Sequence, residues 1–250
     1  TYHPEFDWLP RKFKIALNGS SSDRAATAVH DIGIEVRKTP SGDVVLDVYA
    51  GGGLGRTPVI GSLIRTGLAE RDLLTYVEAI LRVYNRYGRR DNKYKARIKI
   101  LVRAMTPQIF REKVDAEWEH LQDGPGALTD EEILRVKNSF VPPTYTDLNN
   151  EESLLGTQRL KNRHFNAWVE NNVDAHKQTG YAIVTLSTKI PGVPPGDVTD
   201  IQMDAVADWS DKYGYGEIRI SHEQNFVLPD VRQSDLLELF VAAEKQALGA

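Results

Sequence analysis

Clustered cations are the side chains of this chain most suited to chemistry. Arg11, Lys12 and Lys14 follow one another closely, and basic and apolar residues alternate from Lys12 to Leu17. Alternation with a period of two predicts a β-strand, on which Lys12 and Lys14 would lie side by side while Ile15 and Leu17 face the core. Rigid neighbouring ammonium groups suit a small, highly charged anion, although long lysines are also common on exposed sheet faces.

A second basic segment lies further along the chain. Residues 82–103 include nine lysines and arginines, with Asp91 as the single acidic residue. The whole chain has a net charge of −4, so this segment is a local excess of positive charge. Such a segment is typical either of a solvated helix face or of an anion site for phosphate, nucleic acid or a polycarboxylate cofactor.

Three consecutive glycines, Gly51, Gly52 and Gly53, follow a predicted strand that ends near Val48. The run lacks the spacing of a dinucleotide-binding motif. Glycines permit positive φ angles and a close approach of the backbone to other atoms. The run therefore predicts either a tight turn or contact with a large flat ligand.

The composition excludes several kinds of site. With no cysteine in 250 residues, the chain has no disulfide, no thiolate zinc site, no cysteine nucleophile and no thiolate ligands for an iron–sulfur cluster of its own. The six histidines show no metal-ligand spacing, so we expect no metal site. No apolar run reaches about 18 residues, so we expect no membrane span and a cytoplasmic location. The chain begins with Thr1 and shows no signal peptide, which indicates a processed protein or an excised piece.

The order of predicted elements indicates an α+β protein with two domains. Helical periodicity predicts helices at residues 70–87, 96–104 and 107–121. An irregular connection is expected over residues 140–172, and the order β-α-β-β-α after Tyr181 resembles most of a ferredoxin-like unit. We expect a first domain at residues 1–165, a mixed or antiparallel sheet with helices, and a ferredoxin-like half-domain at residues 166–250.

Four segments together resemble the siroheme-dependent nitrite and sulfite reductases, and among them the sulfite reductase hemoproteins. They are residues 9–14 (LPRKFK), 51–54 (GGGL), the basic residues 90–99, and 221–228 (SHEQNFVL). The four segments occur in the family's order and spacing, and they span nearly the whole chain. The combination is specific, whereas any one of the segments alone is weak.

The resemblance implies siroheme joined to a 4Fe–4S cluster, with sulfite reduced to sulfide by six electrons. Lys12 and Lys14 match the family's two lysines that bind the substrate anion and supply protons, so they are the implied catalytic residues. Siroheme is rich in carboxylates, and basic side chains would offset their charge. The implied siroheme-binding residues are Arg11, Gly51, Gly52, Gly53, Arg97, Gln224 and Asn225.

The resemblance leaves more than one function open. Ferredoxin-dependent nitrite reductases of the family usually read LPRKWN, with Asn at the position of Lys14, so Lys14 favours sulfite. A nitrite reductase of the same family is the first alternative. A non-catalytic protein that binds a polyanion through residues 82–103 is the second, although the net acidic charge argues against general nucleic-acid binding.

The resemblance also implies that the chain is the central part of a longer enzyme. The family's cluster cysteines lie in a C-terminal part, and further siroheme-binding arginines lie in an N-terminal part; this sequence contains neither. The expected partners are these missing halves, sulfite or nitrite as the substrate, and a flavoprotein or ferredoxin as the electron donor. No nucleic-acid or membrane partner is expected, and the fragment alone is expected to be inactive.

Overall fold

The computed structural model describes residues 3–148 and 152–249, and the chain forms two compact units, Thr1–Val141 and Pro142–Ala250. This division precedes the predicted domain boundary at residues 165 and 166. The difference arises because residues 152–161 of the segment between the two positions form a helix, and Leu155 of this helix packs against the core of the second unit. No helix in the described ranges has the length and apolar character needed to cross a membrane.

The first unit combines four strands and four α-helices in its described residues. The strands are β1 (Ile15–Asn18), β2 (Ile32–Lys38), β3 (Val44–Ala50) and β4 (Ser62–Ala69). The helices are α1 (Leu73–Tyr87), α2 (Ile98–Met105), α3 (Pro107–Trp118) and α4 (Asp130–Asn138). The predicted strand that ends near Val48 and the first three helices are confirmed, whereas β4 was not predicted. The start of α3 follows the prediction closely, since Thr106 caps it by accepting a hydrogen bond from the Ile109 N–H.

The sheet of the first unit has the order β1-β2-β3-β4, with β1 parallel to β2 and the other pairs antiparallel. This confirms the expected mixed sheet. The core lies between one face of the sheet, which includes Ile32, Ile34 and Val48, and residues of the helices such as Tyr76 and Ile80. All five of these side chains are at most 2% exposed, so the helices cover this face closely.

The prediction for the strand that begins at Lys12 is wrong in two respects. The strand starts only at Ile15, so Lys12 and Lys14 lie in the segment that leads into it. Ile15 and Leu17 pair in register with core residues of β2, yet they are 46% and 52% exposed. β1 is an edge strand, and Ala16 is the one residue of it that is buried.

The second unit contains a four-stranded antiparallel sheet of order β5-β6-β8-β7. Its strands are β5 (Val173–Ala175), β6 (Tyr181–Leu186), β7 (Arg219–Ile220) and β8 (Phe226–Arg232). Its helices are α5 (Glu152–Lys161), α6 (Arg163–Asn172), α7 (Asp200–Tyr213) and α8 (Leu236–Lys245). The predicted β-α-β-β-α order from β6 to α8 is confirmed. The expected irregular connection is wrong where α5 and α6 form, and its residues 149–151 lie outside the described residues.

A buried acidic residue fastens the segment before α5 to the sheet of the second unit. Asp230, on β8, is 4% exposed and accepts a hydrogen bond from the Tyr145 hydroxyl at 2.7 Å. His176 Nε2 lies 3.1 Å from the same carboxylate oxygen. Burial, together with the neighbouring carboxylate, raises the pKa of Tyr145 to about 12, so the phenol keeps the proton that it donates.

Removal of the Tyr145 hydroxyl should therefore destabilise the second unit. We expect Tyr145→Phe to lower the free energy of unfolding by about 1–3 kcal/mol, because the buried carboxylate of Asp230 loses a donor. Denaturant titration, followed by fluorescence, measures the change. Tyr94→Phe, at a position that is 81% exposed, should leave the unfolding curve unchanged. Equal stability of the wild type and Tyr145→Phe would contradict this account.

Candidate functional site

The candidate residues of the first unit converge on a buried carboxylate. Asp31 immediately precedes β2 and has no solvent exposure. Its Oδ1 accepts from Arg97 Nε at 3.0 Å, and its Oδ2 accepts from Arg97 Nη2 at 2.6 Å. Oδ2 also accepts from the backbone N–H of Lys14 at 3.0 Å. A bidentate pair of this kind fixes the plane of the guanidinium as well as its charge.

Among the three cations that precede β1, Lys14 has an anchored backbone, and all three have exposed side chains. The carbonyl oxygen of Arg11 lies 3.0 Å from the hydroxyl of Tyr84, a fully buried residue of α1. The carbonyl oxygen of Lys14 accepts from the Ile32 N–H at 3.1 Å. The side chains of Arg11, Lys12 and Lys14 are exposed, and they form no hydrogen bond or ion pair with any residue that the structure describes. The site therefore presents positive charge that the described residues leave unneutralised.

The glycine run is explained in part by packing within the protein. Gly51 has φ +85°, and a Cβ there would lie 2.9 Å from the side chain of Val102. A Cβ on Gly52 would lie 2.4 Å from the carbonyl oxygens of Ala28 and His30. These two positions thus need glycine whether or not a ligand binds. At Gly53 a Cβ would lie 3.0 Å from Lys99 Cδ and 3.4 Å from Arg97 Nη2, so internal packing also accounts for this glycine.

Lys99 supports the loop that follows the glycine run. Its side chain is buried, and Nζ donates to the carbonyl oxygens of Leu54 at 3.2 Å and Thr57 at 2.6 Å. The aliphatic part of the side chain lies against Gly53. Lys99 therefore belongs to the loop's own structure and is not a free cation for a ligand.

The basic segment over residues 82–103 does not form one free surface. Arg82 pairs with Glu5, Glu78 and Glu117 at 2.9–3.3 Å. Three further arginines of the segment, Arg86, Arg89 and Arg97, also have carboxylate partners. The interpretation of the whole segment as a single anion site is therefore disfavoured, since four of its six arginines pair with acidic residues of the same unit.

The remaining two candidate residues, Gln224 and Asn225, lie in the second unit at the turn before β8. Gln224 has φ +64°, and its carbonyl oxygen accepts from Thr188 Oγ1 at 2.5 Å. Asn225 Oδ1 accepts from the Thr188 N–H at 3.2 Å and from Lys189 Nζ at 2.7 Å. These bonds use the amide oxygen of Asn225 and leave its amide N–H groups for other partners. Asn225 also lines an open groove of about 540 Å³.

The structure thus groups the candidate residues in two sets. Arg97, Lys14 and the glycine run meet at Asp31, with Arg11 anchored nearby in the sequence, whereas Gln224 and Asn225 belong to the other unit. Sequence reasoning missed the supporting residues Asp31, Tyr84, Thr188 and Lys189. An acidic residue directly before an apolar strand was the available signal for Asp31. Within the described residues no cluster of His, Cys, Asp or Glu is arranged to hold a metal ion.

The turn at Gln224 should loosen when Lys189 is removed. Lys189 Nζ also donates to the carbonyl oxygen of Glu223 at 2.5 Å, so it joins two points of the turn. We expect Lys189→Met to speed hydrogen exchange of the Gln224 amide by about tenfold, in keeping with the loss of one or two net hydrogen bonds. NMR exchange measures this rate. Lys212→Met, which removes a surface pair with Glu238, is the matched control and should leave it unchanged.

Two family models match the chain, one in each unit. Residues 1–121 match the model described as "Nitrite and sulphite reductase 4Fe-4S domain". Residues 176–245 match "Nitrite/Sulfite reductase ferredoxin-like half domain". The second match supports the ferredoxin-like prediction for the C-terminal part. The first carries the name of a cluster for which this chain has no cysteine.

Curated relatives include reductases of both substrates. An assimilatory ferredoxin-dependent nitrite reductase of Haloferax mediterranei is 27% identical over 92% of this chain and 36% of its own length. A sulfite reductase [ferredoxin] of Mycolicibacterium paratuberculosis is 28% identical over 98% of this chain and 37% of its own length. The chain therefore spans little more than a third of the relatives that it matches, and identity at this level does not separate sulfite from nitrite.

A solved structure has the same fold. The structure of the Mycobacterium tuberculosis NirA protein matches 99% of this chain and 38% of its own chain, with a TM-score of 0.65 and 23% sequence identity. This similarity supports the α+β architecture described above. With two family models matched in order along it, the chain belongs to the nitrite and sulfite reductase family.

Proposed function

We propose that this chain is the central part of a siroheme-dependent sulfite reductase that reduces sulfite to sulfide by six electrons. The observation that carries the proposal is the group of three exposed cations without described partners, Arg11, Lys12 and Lys14, in a segment whose Lys14 N–H is held by Asp31. A cation cluster of this kind stabilises a small dianion, and its fixed backbone limits the reorganisation needed when the anion binds.

The residues present suit a carboxylate-rich macrocycle. Arg97 is held by Asp31 through Nε and Nη2, which leaves Nη1 for a ligand carboxylate, and Arg11 adds a free guanidinium. Gly53 lies beside the guanidinium of Arg97. We assign Gly51 and Gly52 to the same wall, and we propose Gln224 and Asn225 separately as siroheme-binding residues of the second unit. Siroheme, when bound, supplies electrons to the substrate; this chain's residues supply charge, shape and protons.

The two lysines have the roles of anion binding and proton supply. Lys12 and Lys14 each carry three N–H donors at Nζ and are exposed to water. Their ammonium groups would offset the charge of sulfite and give protons at Nζ to the oxygens that leave as water. Water would then restore each ammonium group, because both side chains remain in contact with solvent.

A 4Fe–4S cluster requires residues from outside this sequence, since the chain has no cysteine. We propose that an N-terminal and a C-terminal part of a longer polypeptide complete the enzyme, as the chain's coverage of its relatives suggests. The printed names of those relatives favour ferredoxin as the electron donor over a flavoprotein. A cytoplasmic location stays a prediction.

The choice of sulfite over nitrite rests on Lys14. Two adjacent ammonium groups match a dianion such as sulfite better than the monoanion nitrite, because the Coulomb attraction grows with the charge. Nitrite reduction is the second candidate, supported by relatives with that name. The polyanion-binding alternative is disfavoured, since carboxylates already pair with Arg82, Arg86 and Arg89.

The visible spectrum of the full-length protein tests the proposed cofactor. We expect a polypeptide that contains this chain, produced together with the siroheme pathway, to show siroheme absorption and to turn over sulfite with a reduced donor. The same protein without siroheme absorption would refute the proposal. Salt-dependent binding to DNA, with no siroheme bound, would favour the polyanion alternative instead.

Substitution of Lys14 tests the substrate preference. In the same full-length protein, Lys14→Asn should lower kcat/KM for sulfite by about tenfold or more, because an ammonium group that faces the dianion is lost. Its effect on nitrite should be smaller, and siroheme content should be unchanged. Lys38→Asn, another exposed lysine of the first unit with no described partner, serves as the control. Equal losses for both substrates would contradict the assignment of Lys14 to sulfite preference.

Lys12→Met tests the proton-supply role separately. Methionine keeps the length of the side chain but removes the charge and all three N–H donors. We expect sulfite turnover to fall sharply while the siroheme spectrum is retained. Steady-state assays with matched siroheme concentration measure the effect, and unchanged turnover would show that Lys12 has no catalytic role.

A further inference from the structure

Asp31 contacts three segments that are far apart in the sequence and that each contain candidate site residues. Its carboxylate binds the guanidinium of Arg97 and the backbone N–H of Lys14. Its own carbonyl oxygen accepts from the N–H of Gly51 at 3.0 Å. One buried residue therefore connects the lysine segment, the glycine run and the basic segment.

We propose that Asp31 is a positioning residue of the anion site, which sets the direction of the Arg97 guanidinium and the place of Lys14. The inference rests on the proposed reductase function, since it takes Arg97 and Lys14 as groups that meet cofactor and substrate. The Asp31 carboxylate is fully buried, so it acts through these two residues and does not touch a ligand itself.

The hydrogen bonds of Arg97 define which of its donors point outward. A guanidinium has five N–H groups in one plane. Asp31 binds Nε and Nη2, and Nη1 makes no hydrogen bond with any described residue. Because Nε and Nη2 are both bound to Asp31, the orientation of the guanidinium is fixed, and with it the direction in which Nη1 points. The Arg97 side chain is 22% exposed, which agrees with one edge buried and one accessible.

Gly53 packs against two basic side chains of this region. A Cβ at this position would lie 3.0 Å from Lys99 Cδ, 3.4 Å from Arg97 Nη2 and 3.6 Å from Arg97 Cζ. The close contact with Lys99 already accounts for glycine at this position, and Gly53 lies beside the guanidinium of Arg97. Gly53 also exchanges two backbone hydrogen bonds with Val59 at 2.9 Å, so the loop is held in this place.

Lys14 is fixed at both ends of its backbone unit. Its N–H donates to Asp31 Oδ2, and its carbonyl oxygen accepts from the N–H of Ile32, the next residue after Asp31. The position of the Lys14 Cα is therefore fixed, and only the side-chain torsions remain free. Loss of the Asp31 carboxylate would release the Lys14 N–H and shift the Cα that carries the ammonium group.

A purely structural ion pair is the competing explanation, and the same unit supplies a matched control. Asp47, on β3, is also buried and accepts from Arg37 Nε at 2.6 Å and Nη2 at 2.7 Å. It accepts a backbone N–H as well, from Gly67 at 3.1 Å. The hydrogen bond from Arg37 lowers the pKa of Asp47, as expected for a stabilising pair. Asp47 contacts none of the candidate site residues among its described partners.

The test compares Asp31→Asn with Asp47→Asn in the full-length, siroheme-containing protein. Three quantities are measured: Tm, the visible spectrum of the bound siroheme, and the Kd for sulfite from spectral titration. Both variants should have a lower Tm. Asp31→Asn alone should alter the spectrum and raise the Kd by about tenfold or more, the usual effect of losing an outer partner of a ligand-binding side chain. Arg97→Lys keeps the positive charge but loses the bidentate hydrogen bonding of the guanidinium, so it should raise the Kd as well.

Each outcome is decisive. If Asp31→Asn has a lower Tm but keeps the spectrum and the Kd of the wild type, Asp31 is only a structural residue and the inference is overturned. The proposed function would not be affected by this result. If Asp31→Asn does not fold, Arg97→Lys decides, and a wild-type Kd there overturns the inference. A wild-type protein that binds no siroheme would overturn the proposed function and this inference together.

Discussion

A carboxylate removed from water must be surrounded by donors, and this requirement organises the first unit. Asp31 lies against a strand of apolar residues and has no solvent exposure, so its charge is stable only while Arg97 and the Lys14 N–H remain in place. Breaking a buried pair of this kind costs about 3–5 kcal/mol, because the remaining charge is left uncompensated. The convergence of three distant segments is therefore a condition of folding.

The two units hold their candidate residues by different means with a similar result. In the first unit a charged pair fixes a guanidinium. In the second, Thr188 and Lys189 bind carbonyl and amide oxygens around Gln224 and Asn225. In both, the protein fixes the backbone or one edge of a polar group and leaves other donors for a partner. Such preorganisation reduces the ordering that binding would otherwise require.

Much of the architecture could be predicted from local sequence. The strand from Tyr181 to Leu186 and the start of a helix at Pro107 agree with the structure, because their signals are short-range periodicity and capping. The helices α5 and α6 were missed, since prolines and asparagines nearby suggested a loop. The exposure of Ile15 and Leu17 was also missed, because a period of two shows which side of a strand is apolar, not whether anything covers it.

The candidate site was predictable only at the residues of recognisable segments. The lysines and glycines lie in such segments. The role of Asp31, by contrast, depends on hydrogen-bond partners that are 17 and 66 residues away in the sequence. No local pattern contains that information. Likewise, the charge excess over residues 82–103 was visible in the sequence, but the pairing of Arg82 with Glu5 and Glu117 depends on the tertiary fold. Its pair with Glu78, four residues earlier on the same helix, is local.

The exposed edge of β1 has a consequence for self-association of the protein. In the described part of the chain, β1 ends the sheet, and half-exposed Ile15 and Leu17 lie on it. An open apolar edge is a template for pairing with another copy, and flanking charges oppose that pairing through mutual repulsion. Lys12 and Lys14 lie directly before this edge strand. Their positive charges would therefore repel the same strand of a second copy and oppose self-association. High salt, which screens that repulsion, would weaken the protection.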